Sequence, residues 1–240
     1  MTLSANVAVI GETVRKNLFG PTDPIGETRA RIGDEITIVS EHSLADKLYV
    51  RLGKLDPIRV SPPGDGRVRI VLPDGQYPPD LDHPPLPVRP IPADIQLQPG
   101  QLPIQLIGEH PAEGVEGGLG PGQAIDEARR YRSNIWLLQL VPSVASATST
   151  GAGATEVMHI TGKRLWHEGA GTIDVIVGDA AIPVQAPSSG DPWAAPTPTG
   201  VEIPMAPLRQ MLAVSATPYR VAVQVDGARS RDNVTFILGP

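Results

Sequence analysis

Ten prolines fall within the 31 residues from Pro73 to Pro103, Pro84, Pro85 and Pro87 among them. Proline lacks the N–H that a helix or sheet needs and fixes φ near −65°, so no regular helix and no central strand is expected there. The rest of the chain shares the habit, with 27 prolines and 25 glycines in 240 residues. Together they make up about a fifth of the sequence, well above the roughly 12% of average usage. Charged residues are 19% and hydrophobic ones 40%, so the chain lacks the high charge and low hydrophobicity that keep a polypeptide disordered. What remains is a folded protein of short elements and many turns. The fold class expected is all-β.

Composition narrows the function as well. The formal net charge is −6, from 20 Lys and Arg against 26 Asp and Glu. A polyanion-binding protein carries a basic surplus, so nucleic acid is not an expected partner. Cysteine is absent, which excludes disulfide frameworks, thiolate metal sites and a cysteine nucleophile. No run approaches the roughly 18 apolar residues of a membrane span, and no cationic-then-apolar leader opens the chain. A cytoplasmic protein with no direct membrane span is the expectation.

Near the N-terminus, Val7, Ile10, Val14 and Leu18 recur at spacings of three and four, behind Ser4 as a cap and ahead of the stop Gly20-Pro21. This pattern predicts a short N-terminal helix, with a short strand over Val7–Ile10 as the competing reading. From residue 32 the period changes to two. Ile36–Val39, Lys47–Leu52 and Arg67–Leu72 read as strands, the last two separated by the turn sequence Pro63-Gly64-Asp65-Gly66. After the proline-rich segment come a strand at Ile104–Ile107, a glycine-rich irregular stretch to Tyr131 with one possible helical turn at Ala124–Arg130, and Asn134–Val141. That last run is the most apolar and reads as a core strand. Small residues at Thr148–Ala154 mark a flexible connection, with a domain boundary just before it near Val144. Further strands are expected at Val157–Ile160, Thr172–Val177, Val201–Met205, Tyr219–Val225 and Asn233–Leu238, with a second proline-rich connection over 187–198. The organisation expected is an arm (1–28), a first β-sandwich (29–144) carrying insertions at 73–103 and 108–131, and a second sandwich (145–240).

The two halves repeat each other. Glu35-Ile36-Thr37-Ile38 matches Val157-Met158-His159-Ile160, and Leu48–Gly53 matches Ile173–Gly178, each followed by an isoleucine-containing partner at Ile58 and Ile182. Gly66–Ile70 matches Gly200–Ile203 with a one-residue offset. Ile104–Gly108 matches Val223–Gly227, and Arg132-Ser133-Asn134-Ile135 matches Arg231-Asp232-Asn233-Val234. A sandwich of seven short strands duplicated in tandem, with loops free to drift, explains this order. Trp136 and Phe236 then fall on equivalent last strands, facing the cores.

Residues with catalytic chemistry are present, but not in catalytic patterns. His42, His83, His110, His159 and His167 form no HxH, no HExxH and no His–carboxylate spacing on one element. Asp80-Leu81-Asp82-His83 lies in the proline-rich stretch, where a solvated loop is the ordinary reading. Gly117–Gly122 lacks the Lys-Ser/Thr that ends a phosphate loop, and Pro121 removes a needed donor. Ser188-Ser189 has no strand-to-helix context for a nucleophile elbow. The expectations are therefore no enzyme, no catalytic residues, no cofactor and no metal. Partner contacts are the better class. Leu81, Leu86, Val88 and Ile91 stand between prolines in a segment that docks with little entropy to lose. Val7, Ile10, Val14, Leu18 and Phe19 form the second candidate contact.

Glu156–Trp166, a Gly-Asp hairpin at 178–179 and Arg229–Phe236 resemble the transcription-factor-type immunoglobulin (IPT/TIG) fold, with its I-x-G-x-x-L first strand at Ile160, Gly162 and Leu165. The resemblance covers 155–238 and, more weakly, 30–142. It implies two tandem immunoglobulin-like β-sandwiches with a short N-terminal helix and long Pro/Gly-rich loops. A narrower likeness rests on Pro103-Ile104-Gln105-Leu106 followed, after a long loop, by the run Arg132–Pro142. This resembles the C-terminal part of cap proteins of contractile injection systems, which close the distal end of phage-tail-like particles. It implies sheath and inner-tube terminal subunits as partners, a homo-oligomeric and sixfold ring, and assembly into a particle that is either released or membrane-anchored. A carbohydrate- or surface-binding module and a non-catalytic accessory domain of an enzyme are the rival classes. The first wants aromatics gathered on one exposed face, and the chain has only three Trp, four Tyr and two Phe.

Overall fold

The computed structural model describes residues 5–7, 29–39, 47–61, 67–79, 88–110, 129–231 and 233–239. These residues are predominantly β. The first half holds β1 (Ala5–Val7), β2 (Arg29–Ala30), β3 (Glu35–Val39), β4 (Lys47–Leu52), β5 (Ile58–Val60), β6 (Arg67–Val71), β7 (Gly100–His110), β8 (Arg129–Arg132) and β9 (Trp136–Leu140). The second holds β10 (Ser143–Thr150), β11 (Val157–Lys163), β12 (Ile173–Val177), β13 (Ala180–Pro183), β14 (Gly200–Pro204), a short helix α1 (Met205–Met211), β15 (Tyr219–Val225), β16 (Ala228–Arg229) and β17 (Thr235–Phe236). Of the described residues, 33–97 and 102–138 belong to one compact unit and 29–32, 98–101 and 139–239 to another.

Alternating side chains explain both sets of strands. Along β4, Leu48, Val50 and Leu52 are buried while Lys47 and Arg51 face out, and β12 repeats this with Ile173, Val175 and Val177 inward. In the second unit, buried residues of the β10-β11-β14 sheet (Val144, Met158, Ile160, Val201, Ile203) and of the β13-β12-β15-β16 sheet (Val175, Ile182, Val221, Val223) form a single apolar cluster. Two sheets thus share one core.

Strand order repeats with the sequence. In the first half β3 pairs with β6, and β5-β4-β7 run side by side with β8 and β9 following; in the second β11 pairs with β14, and β13-β12-β15 run side by side with β16 and β17 following. Registers agree as well. Ile36 opposes Ile70 as Met158 opposes Ile203, and Leu52 opposes Ile104 as Val177 opposes Val221. Gly53 and Gly178 end equivalent strands with φ of 57° and 58°, each donating its N–H to a carbonyl on the neighbouring strand, Pro103 O and Arg220 O. A left-handed residue after a strand is glycine's ordinary place.

The last two matches need a correction of two residues. Ser133 donates its N–H to Leu106 O and accepts the Leu106 N–H on its hydroxyl; Ser230 does the same with Val223. Leu106 is therefore equivalent to Val223 and Ser133 to Ser230, whereas alternation alone aligned Leu106 with Val225 and Ser133 with Asp232. A shift of two leaves every side chain on its face, so period two cannot detect it. The serines yield a paired prediction. Ser230→Ala strands a buried N–H and is expected to cost about 1–3 kcal/mol, while Ser133→Ala, which water can reach, costs about 0.5–1 kcal/mol. Urea unfolding of the two variants measures the difference.

Other elements depart from expectation. Ala5–Val7 is not the start of a helix but a strand, pairing in parallel with Ile36–Ile38 of β3; Ile10, Val14, Leu18 and Phe19 lie outside the described residues. The helix of the described residues is α1, where Pro207 sits in the first turn and needs no N–H partner, and where Met205 and Leu208 enter the core. Thr148–Thr150, read as flexible, complete β10 against β11. Gly100–Pro103 belong to β7 rather than to an irregular segment. Further back, residues 75–77 and 89–91 bond to one another through Tyr77 N–H to Arg89 O and Ile91 N–H to Gly75 O. Arg89 lies 4.0 Å above the Tyr77 ring and pairs with Asp56. This short ladder explains why Ile91, expected to stand exposed, is buried at 4%.

Candidate functional site

The densest polar arrangement of the second unit lies on the β10-β11-β14 sheet. β11 pairs with β14 so that His159 faces Glu202 directly, and His159 Nδ1 lies 2.8 Å from Glu202 Oε1. On the other side β10 brings Thr150, whose Oγ1 is 2.5 Å from His159 Nε2. The second Glu202 oxygen accepts the Ala194 N–H at 2.6 Å, which draws the proline-rich 187–198 connection towards the sheet. The proton positions follow from the partners. An ionised carboxylate only accepts, so the neutral ring carries its hydrogen on Nδ1, and Nε2 accepts the Thr150 hydroxyl. Hydroxyl, imidazole and carboxylate are linked across three strands, Thr150 reaching His159 diagonally while Thr148 stands directly opposite it.

Alternation in the sequence read Val157–Ile160 and Val201–Met205 as two strands but did not pair His159 with Glu202. They are 43 residues apart. The signal was the shared parity of the two strands; the missing information was which strands are neighbours.

Two other polar clusters hold loops and ends. Asp226 begins a tight β15–β16 turn at φ 47° and accepts the N–H groups of Gly171 and Thr172, with His167 Nε2 at 3.2 Å from its other oxygen. Burial pushes the Asp226 carboxyl up, but the Thr172 and Gly171 N–H groups and His167 outweigh it, so it ionises below the ordinary carboxylate range. Glu156, at the start of β11, receives Arg209 in a two-pronged pair, 2.8 Å from Nε and 2.9 Å from Nη2, while Nη1 donates to Gly239 O at 2.7 Å. Among the described residues no group of three or more His, Asp or Glu could hold a metal ion, and no helix is long and apolar enough to cross a membrane.

Of the residues expected to make partner contacts, three fall among the described residues. Val7 lies in β1, Val88 is half-exposed, Ile91 is buried, and Ile10, Val14, Leu18, Phe19, Leu81 and Leu86 lie outside the described residues. Apolar exposure occurs elsewhere. Ile135 and Leu137 of the first unit are 62% and 61% exposed, although their strand was read as wholly core; Leu138 and Leu140 take the inward positions. Phe236 is buried as expected, and Trp136 is only partly so. In the second unit Met211, Val214 and Ile237 are the exposed apolar side chains. No family model matches this chain, and no curated protein matches it.

Proposed function

We propose that the chain is a non-catalytic structural component of a larger assembly, built from two immunoglobulin-like sandwiches of the IPT/TIG type. The observation that carries this reading is the doubled strand order, with large apolar side chains left outward in or beside the last strand of each half, Ile135 and Leu137 in one and Ile237 in the other. We take these outward side chains as the contacts a partner covers. In support, Ile160 and Leu165 of the I-x-G-x-x-L run are buried, and a Cβ at Gly162 would lie 2.0 Å from Ser143 O.

The assembly we favour is a contractile injection particle, with this chain in the cap at its distal end and copies arranged in a ring. Supporting it, the two parts of the cap-like sequence are neighbours. Leu106 and Gln105 bond to Ser133, through the Leu106 N–H and the Gln105 amide. A cap would terminate sheath or tube growth by offering one complementary face and no continuing one.

The test is a tagged pull-down from the native cell with mass spectrometry and negative-stain imaging. Sheath and tube subunits with label at one end of rod-like particles is the expected outcome; a lone monomer overturns the cap reading. The double variant Ile135→Ser, Leu137→Ser is expected to change unfolding by no more than about 0.5 kcal/mol while reducing particle capture about tenfold or more.

A further inference from the structure

We propose that Thr150 is an acyl-acceptor site, its hydroxyl set on an imidazole that a carboxylate holds, and that it takes an acyl group from an activated ester. The roles follow from the geometry already described. Thr150 Oγ1 is within hydrogen-bond reach of His159 Nε2, and Glu202 fixes the opposite ring nitrogen, itself held by the Ala194 N–H. Nucleophile, base and orienter on three separate elements is the arrangement that activates a hydroxyl. Thr150 is exposed, so an ester can reach it.

The loop after Thr150 turns sharply. Gly151 has φ 85°, and a Cβ there would lie 2.5 Å from Thr155 O, so the chain must turn closely at this point. Ala152 O and Gly153 O accept the Thr155 and Glu156 N–H groups, while the Gly151, Ala152 and Gly153 N–H groups donate to no backbone acceptor among the described residues. These donors follow the nucleophile in the chain, and one that faces the acyl carbonyl would stabilise its oxygen as it turns anionic.

In the step, the Thr150 Oγ1 to acyl-carbon bond forms and the ester's carbon–oxygen bond breaks. The hydroxyl proton passes to His159 Nε2 and then to the departing alkoxide. The product is a threonine ester and an alcohol. One covalent event is claimed, not turnover, so the inference is independent of the assembly role. His159 acts on the reacting proton; Glu202 is a positioning residue.

The experiment incubates the full chain with p-nitrophenyl acetate and reads acetylation by intact mass and peptide mapping, with hydroxylamine to tell an ester from a lysine amide. Ser149, exposed on the same strand and on its opposite face, serves as the internal control, while Thr148, directly opposite His159, is mapped alongside. Thr150 is expected to acylate about a hundredfold faster than Ser149. Thr150→Ser keeps the labelling and His159→Ala brings it down to the control rate. Glu202→Gln lowers it and Glu202→Asp restores it, with no change in urea midpoint between those two. Labelling of Thr150 no faster than Ser149, or unaffected by His159→Ala, overturns the proposal and leaves the three residues as a stabilising cross-strand ladder.

Discussion

Gly162→Ala is expected to destabilise the protein by about 3 kcal/mol, the upper end of the range for overpacking. The added carbon would sit 2.0 Å from Ser143 O, 3.0 Å from Ser143 C and 3.1 Å from Leu165 Cδ2. The first two atoms are backbone, so no side-chain rotation relieves them. Ser143 and Val144 pair with Lys163 and Gly162 just before the register shifts between Val144 and Ser146. β10 is therefore held close at the one position where β11 has no side chain. Leu165, fully buried two residues after the strand, limits movement from the other side. Urea denaturation reads the result as a lower midpoint with an unchanged slope. A loss below about 1 kcal/mol would mean that β10 yields at this point.

Glu156→Ala carries the second largest expected effect, about 2 kcal/mol. Breaking a buried ion pair costs roughly 3–5 kcal/mol because the remaining charge is stranded, and partial exposure reduces that. Here the Glu156 side chain is 11% exposed and that of Arg209 is 30% exposed. The pair also ties three places together: the start of β11, the helix α1 and the carbonyl of Gly239. Its pH dependence has a definite sign. The hydrogen bonds from Arg209 hold the Glu156 carboxyl below its ordinary value, against the opposing effect of burial. The stabilisation is thus fully present above the unfolded carboxylate value, about 4.3, and is lost as pH falls through the lower folded value. Thermal unfolding of wild type and Glu156→Gln at pH 7 and at successively lower pH should converge as acid removes the charge. A constant gap down to strong acid would show that the pair contributes through shape rather than charge.

Period-two alternation made the strands legible, because a half-buried sheet requires it whatever the topology. Val157–Ile160, Thr172–Val177 and Tyr219–Val225 were read within a few residues of β11, β12 and β15. The repeat was legible for the same reason. Its last two strands slipped by two because alternation has no memory of absolute position, and the serine hydroxyls that fix the register are visible only once Ser133 meets Leu106 and Ser230 meets Val223. α1 escaped notice because Val201–Met205 reads as strand to its end and a helix of one or two turns has little periodicity to display.

By itself, then, the sequence determined the all-β class, the turns and the duplicated strand order, since these follow from chain chemistry over a few residues: proline's missing donor, glycine's left-handed freedom, the pleat of a strand. The tertiary structure alone decided which strands lie side by side. That choice turned Ile135 and Leu137 outward, buried Ile91, pressed Ser143 against Gly162, and linked Thr150, His159 and Glu202. Contacts between residues tens of positions apart depend on long-range strand pairing, which no local pattern records.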